Sequence, residues 1–283
     1  MPSCVPAPIF EIKTKKILFK TEAIPNEFAE TLASRIWFVN KDRRVNTSKA
    51  TELRSKPVKS PPLGLMVFEP VSWNGSLDAV IVDLDRLFRY HDRNPKSIEF
   101  TTRNAGVKAL FTFRNTEKVG PNYSRVLNVL DRHQPCLSRY IQEHIAAFVR
   151  PELLNTINME LMQYQPNSYF ISHIDNVVQT GDEPWPIYAI HVGKKTKRFD
   201  LLPVFSSKSP AIRILVEPGQ IVMLDGSARL EYSHSVPSTQ ERAYTILFHF
   251  QPVAQERVGY NDILKTPVCM NQIQGQLKTT ASG

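Results

Sequence analysis

The sequence predicts an α+β protein whose second half closes into a barrel or jelly-roll sandwich. Two observations carry this. Apolar residues recur at helical spacing in the first half, at 28–39, 123–130 and 136–149, and from 157 onward they fall into seven or eight short strand-like runs. Helices ahead of a block of strands, rather than strict alternation, is α+β patterning. A third observation bounds the size: 283 residues, 42% hydrophobic and 22% charged, suit one large globular domain or two small ones.

The elements follow in order. Residues 1–15 read as an extended arm, with three prolines among the first nine, and 13–20 mixes basic and apolar residues as an edge strand does. Pro25 opens a helix with Phe28, Leu32, Ile36 and Val39 on one side, ending near Asn40. Residues 41–62 are rich in Lys, Arg, Ser and Pro and read as an exposed basic loop. The runs 65–68 and 79–82 read as strands split by a turn at 73–76, and 107–113 as another strand. In the helix 136–149, Leu137, Tyr140, Ile141, His144, Ile145 and Phe148 form one stripe, so His144 reads as a core histidine. Strands are expected at 157–164, 169–174, 187–192, 198–204, 212–216, 221–224 and 243–250, with a turn at 217–220 and a hairpin signal in Asp225-Gly226. His191, inside one of these strands, reads as a core or boundary histidine. The domain is expected to span 16–255, with 256–283 a loose polar tail.

Composition excludes several classes. Three scattered cysteines, with no Cys-x-x-Cys, argue against a disulfide framework and a zinc ribbon and fit a reducing compartment. No run of about 18 apolar residues exists, and prolines interrupt the start where a signal peptide needs an apolar core. An intracellular protein, cytoplasmic or nuclear, with no membrane partner is expected. Lys plus Arg outnumber Asp plus Glu 35 to 27, a formal charge of +8 that favours an anionic partner such as RNA or DNA. There is no GxGxxG, P-loop or nucleophile elbow.

The chemistry centres on His173-Ile174-Asp175. Residues i and i+2 of a strand point the same way, so an imidazole and a carboxylate converge. His234 follows 59 residues after Asp175, with about five strands between, enough to bring the chain back beside the first pair. Two histidines and a carboxylate form the facial triad that holds Fe(II) and leaves open positions for oxidation chemistry. Arg242 starts the last apolar strand and offers the forked, permanently charged group that the far carboxylate of 2-oxoglutarate needs. Tyr164 precedes His173 on a neighbouring strand, and its hydroxyl is placed for the same cosubstrate. Lys194, Lys195, Lys197 and Arg198 read either as a phosphate-contacting hairpin beside the site or as a solvated turn. Trp73, Tyr169 and Trp185 are candidates to stack on a base.

One order of residues joins these features. It runs Tyr164, His173-Ile174-Asp175, Ile-Tyr-Ala-Ile-His-Val-Gly at 187–193, Arg198-Phe199, Glu-Pro-Gly-Gln-Ile-Val-Met-Leu-Asp-Gly at 217–226, His-Ser-Val-Pro at 234–237, and Arg242. This order resembles the AlkB-type Fe(II)/2-oxoglutarate dioxygenases from about 157 to 250, with a weaker match before that. The resemblance implies a double-stranded β-helix (jelly-roll) core at 157–250 with N-terminal helices packed on one sheet, and a substrate-recognition lid within 41–110. It implies Fe(II), 2-oxoglutarate and O2, with His173, Asp175 and His234 as iron ligands and Arg242 and Tyr164 holding 2-oxoglutarate. The implied activity is oxidative demethylation of N-alkylated bases in RNA or DNA, with the base flipped out or single-stranded. The chain departs from the family twice. Phe248 stands where a second arginine is usual, with His249 beside it, and Met162 stands where an asparagine precedes the tyrosine. Those departures keep two rivals open: the same oxidation on a protein side chain, and a non-catalytic nucleic-acid-binding β-domain.

Overall fold

The computed structural model describes residues 16–17, 20–22, 37–39, 45–47, 64–93, 100–102, 106–110, 122–149, 154, 157–174, 179–180, 183–184, 186–203, 211–230 and 232–250. Its strands are β1 (Lys16–Ile17), β2 (Lys20–Glu22), β3 (Trp37–Val39), β4 (Val45–Thr47), β5 (Leu65–Phe68), β6 (Phe100–Thr102), β7 (Val107–Leu110), β8 (Ile157–Tyr164), β9 (Phe170–Ile174), β10 (Gln179–Thr180), β11 (Glu183–Pro184), β12 (Ile187–Val192), β13 (Lys197–Pro203), β14 (Ile212–Val216), β15 (Ile221–Leu224), β16 (Tyr232–Val236) and β17 (Ala243–Phe250). Its helices are α1 (Leu77–Arg93), α2 (Asn122–His133), α3 (Pro135–Phe148) and the short α4 (Gly226–Leu230). The expected tail lies outside the described residues, as does the opening helix apart from its last residues. Those residues, Trp37–Val39, form β3 rather than helix. No helix among the described residues is long and apolar enough to cross a membrane.

The strands make two main sheets. One has the order β1-β5-β15-β12-β17-β8-β7-β6 and the other β2-β14-β13-β16-β9-β3-β4. Period-two alternation explains why they pack. Met162, Tyr164, Val222 and Leu224 of the larger sheet join Phe199, Leu201, Ile214 and Val236 of the smaller in one core between the sheets. The alternate residues Met159, Leu161, Ile190, Ile246 and Phe248 emerge on the other face of the larger sheet. There they bury Leu84 and Phe88 of α1, Leu130 of α2 and Ile141 of α3. The result is a β-sandwich with three helices on one side. Of the stretch expected as a lid, β5, α1 and β7 belong to this body.

Two local expectations are corrected. Residues 79–82 are helix, not strand. Ser76 accepts the Asp78 amide with its hydroxyl (3.2 Å) and the Ala79 amide with its carbonyl (3.1 Å), which starts a helix. Val80, Leu84, Leu87 and Phe88 then repeat every three or four residues over a span longer than the β-branched run. The second correction is Asp225-Gly226, which opens α4 rather than a hairpin, because β15 and β16 lie in different sheets. Gly64, at φ 86°, fits beneath this corner; a Cβ there would fall 2.0 Å from the Asp225 carbonyl oxygen.

Asp83 ties α1 to α3. Its buried carboxylate accepts the amides of Cys136 (2.9 Å) and Leu137 (3.1 Å), capping a helix whose own N-cap residue, Gln134, makes no side-chain cap bond. Asp83→Ala strands two amides and is expected to cost about 1–3 kcal/mol, read as a lower urea midpoint. Asp83→Asn keeps an acceptor and is expected to cost less.

Candidate functional site

His173 and His234 meet on the inner face of the smaller sheet. They are directly opposite in the antiparallel pair β9–β16, and directly opposite residues share a face. Leu201 on β13 is opposite His234 on its other side and belongs to the inner core, which fixes that face as the interior. Both rings are buried, with centroids 4.3 Å apart. An irregularity in register follows His234, the kind of bulge that re-aims a side chain. His173 Nδ1 lies 2.8 Å from the Ile171 carbonyl oxygen; donation there leaves Nε2 as the lone-pair nitrogen. Phe199 stacks on His234 at 5.7 Å and Phe170 meets His173 edge-on at 4.6 Å, so the pair sits among aromatic rings.

Two imidazoles so placed, one held by its own backbone, suit a borderline divalent metal. Asp175, the expected third ligand, lies outside the described residues. Among the described residues no set of three metal-binding side chains forms.

Tyr164 faces the same interior, and what sits on it differs from the expectation. Lys197 Nζ lies 4.7 Å from the centroid of the Tyr164 ring and donates to Thr245 Oγ1 at 2.5 Å. Lys197 begins β13 on the face of Phe199 and Leu201, so it points inward and is buried. No carboxylate lies within ion-pair distance of it among the described residues, and burial lowers its pKa to about 7. Lys197 is therefore buried, and it also lines the cavity between the hairpin and residues 238–243. Its hairpin neighbours stay exposed, with Lys195 paired to Glu241 at 2.6 Å. Lys197 is four residues from Leu201, about 13 Å along the strand at about 3.3 Å per residue. A cavity of about 270 Å³ does open between the hairpin and residues 238–243, lined in part by Lys194, Lys195 and Arg198.

Arg242 is the clearest correction. Tyr244, Ile246 and Phe248, two, four and six residues on, pack into the core beneath the helices. Arg242 shares that parity and meets Asp85 of α1 at 2.8 Å, with its side chain 47% exposed. A one-residue change of parity moves a strand residue to the other face. Asp85 also accepts the Tyr244 hydroxyl at 2.5 Å. Arg242 thus fastens a helix to the sheet, and Phe248 is helix-side core. Arg242→Ala is expected to leave 2-oxoglutarate affinity unchanged and to cost under about 1 kcal/mol of stability, as exposed ion pairs do. Isothermal titration and a urea midpoint check the two halves of that statement.

The remaining candidates sort by burial. His191 is buried, with Nε2 2.7 Å from the Lys195 carbonyl oxygen; burial, then the Lys197 charge, depress its pKa to about 3. His144 is likewise interior, its Nδ1 2.8 Å from the Tyr140 carbonyl oxygen, and burial lowers its pKa to about 4. Both are core histidines, as read from sequence. Trp73 packs on Tyr140 at 5.0 Å and is no free stacking platform; Tyr169 is 38% exposed, and Trp185 lies outside the described residues. Met162 faces inward with its sulfur 3.8 Å from the Tyr164 hydroxyl. Sequence reading missed Phe199 as the aromatic wall and Thr245 as the partner of Lys197. The signal was parity: Lys197 with Phe199 and Leu201, Thr245 with Ala243 and Leu247.

Comparison with known proteins adds little. No protein-family model and no curated protein matches the chain. A prolyl-4-hydroxylase from Pseudomonas putida is similar in structure, at 12% identity over 66% of this chain and 92% of that one, with a TM-score of 0.39. A prolyl hydroxylase from Trichoplax adhaerens, solved with a hypoxia inducible factor oxygen degradation domain peptide fragment, is 12% identical over 66% of this chain and 83% of that one, with a TM-score of 0.40. At that identity and TM-score the likeness carries no argument about function, which rests on the residues themselves.

Proposed function

We propose that this chain is an Fe(II)/2-oxoglutarate-dependent oxygenase. The observation that carries the reading is one inner face holding both a buried histidine pair and a buried lysine with no neutralising carboxylate among the described residues. An imidazole pair suits a metal, and a buried lysine nitrogen with no acid beside it among the described residues suits an anion. In this reading His173, Asp175 and His234 hold iron. Lys197, with the Thr245 hydroxyl and beneath the Tyr164 ring, takes the far carboxylate of 2-oxoglutarate, the role that Arg242 was expected to fill. Bound Fe(II), 2-oxoglutarate and O2 supply a two-electron oxidation of the substrate, releasing succinate and CO2. The chain's own residues bind, orient and exclude water. Phe199 and Phe170 wall the histidines, and Thr245 fixes where the ammonium points.

The acceptor substrate has two readings. Base demethylation in RNA or DNA keeps the support of the net charge of +8 and of the order of residues from 157 to 250. Oxidation of a protein side chain gains from one observation: Arg242, the AlkB-type anchor, faces the helices. One assay separates them. Protein purified without oxygen is given Fe(II), 2-oxoglutarate and O2 with a panel of methylated oligonucleotides or of peptides. Succinate with formaldehyde from an oligonucleotide supports demethylation. Succinate with one oxygen atom added to a peptide supports side-chain hydroxylation. No succinate under any condition, even uncoupled, sinks the oxygenase.

A further inference from the structure

We propose that above neutral pH the interior site takes up its dicarboxylate together with one proton, because Lys197, buried without an acid beside it among the described residues, gives up its proton there and becomes an ammonium when the ligand's carboxylate arrives. This rests on the oxygenase reading, in which that carboxylate belongs to 2-oxoglutarate.

Among the described residues, the surroundings of Lys197 offer nothing to balance a charge. From β8 it meets the face of the Tyr164 ring, and the next acid on that face is Glu160, four residues along. From β17 it meets the Thr245 hydroxyl, with His249 four residues along. From β12 it meets His191, which sits opposite Thr245 and is held neutral by burial. Its neighbour in β14 is Val216. The acids nearest in sequence are engaged elsewhere: Asp200 on the opposite face of β13 with Arg213, Glu241 with Lys195, and Asp85 with Arg242.

A ring face and a hydroxyl stabilise an ammonium only in part, and burial opposes it. The depressed pKa of about 7 agrees with the geometry. Thr245 suits both states. Its oxygen accepts from either form of the nitrogen, and its own proton is then free to turn toward an incoming carboxylate. A carboxylate beside the nitrogen favours the charged form, so the lysine regains a proton from solvent as the ligand binds. No bond to carbon forms or breaks; one proton moves from buffer to Nζ. Arginine could not work this way, since it stays charged throughout.

The test uses the full chain loaded with Mn(II), which occupies the metal site without turnover, and 2-oxoglutarate as ligand. Isothermal titration in two buffers of different ionisation enthalpy counts protons. With a free-site pKa near 7, uptake is expected to be about 0.9 proton per ligand at pH 8 and about 0.1 at pH 6, and Kd to weaken about 30-fold from pH 6 to pH 8.5. Lys197→Arg is expected to bind 2-oxoglutarate with no uptake and a flat pH profile. Tight wild-type binding without uptake at pH 8, or the same uptake in Lys197→Arg, overturns the inference and leaves the oxygenase standing. No 2-oxoglutarate binding at either pH overturns the oxygenase reading and this inference with it.

Discussion

Metal binding is expected to be lost in His234→Ala, with Kd for Mn(II) or Co(II) weakened more than about a hundredfold, beyond the 10–100-fold that loss of a residue supporting a ligand costs. Succinate formation is expected to fall in parallel. The His234 ring stacks on Phe199 and on His173, and alanine leaves that wall apolar. His173→Ala is expected to behave alike, because the two rings face each other across one strand pair. His144 and His191 provide the contrast. Each is buried with a ring nitrogen on a backbone carbonyl, and each is expected to leave metal affinity unchanged when replaced by glutamine. Metal affinity unaltered in His234→Ala removes the metal centre from the molecule.

The contrast between Lys197 and Arg242 shows what a single sequence can and cannot give. Strand existence was readable: β8, β12, β14, β15 and β17 fall where short apolar runs sit between turn residues. The pairing of His173 with His234 was readable from two histidines separated by the strands that fold back between them. Which face of β17 looks inward was not readable. Ala243, Thr245 and Leu247 alternate with Tyr244, Ile246 and Phe248, and both sets are apolar enough to be buried. Both faces of this strand are in fact covered, one by the second sheet and one by helices, so alternation loses its polar half. Tertiary partners decide, and Asp85 of α1, more than 150 residues upstream, captures Arg242. The run 79–82 failed for a related reason. Four β-branched or small residues look like a strand until the longer period of Val80, Leu84 and Leu87 is counted. Lys197 reads as exposed in sequence because it is a lysine among lysines in a hairpin. Only its parity with Phe199 and Leu201 marks it as interior.

Lys197→Met is expected to separate stability from function in opposite directions. Methionine keeps the length and apolar bulk of the stem and removes the nitrogen. In wild type that nitrogen is buried against a hydroxyl, a ring face and neutral His191, so at pH 6 folding takes a poorly compensated charge out of water. Replacing such a group by an apolar side chain of similar volume is expected to raise stability by about 1–4 kcal/mol at pH 6. The sign can be checked against pH. The folded pKa, about 7, lies below the lysine value of about 10.4 in an unfolded chain. Between those values the unfolded chain holds a proton that the folded one lacks, so wild-type stability rises with pH across that window. The penalty is whole below about pH 7 and gone above about pH 10, and the advantage of the methionine variant shrinks accordingly. Ligand binding moves the other way: without the ammonium, 2-oxoglutarate affinity is expected to drop about a hundredfold or more. Urea midpoints at pH 6 and pH 10, with titration of 2-oxoglutarate, read both effects in one protein pair. A variant less stable than wild type at pH 6 shows the ammonium to be a net structural asset. A variant that keeps wild-type 2-oxoglutarate affinity shows that the cosubstrate is held elsewhere. A more stable protein that has lost its cosubstrate is what a buried cation kept for a ligand must give.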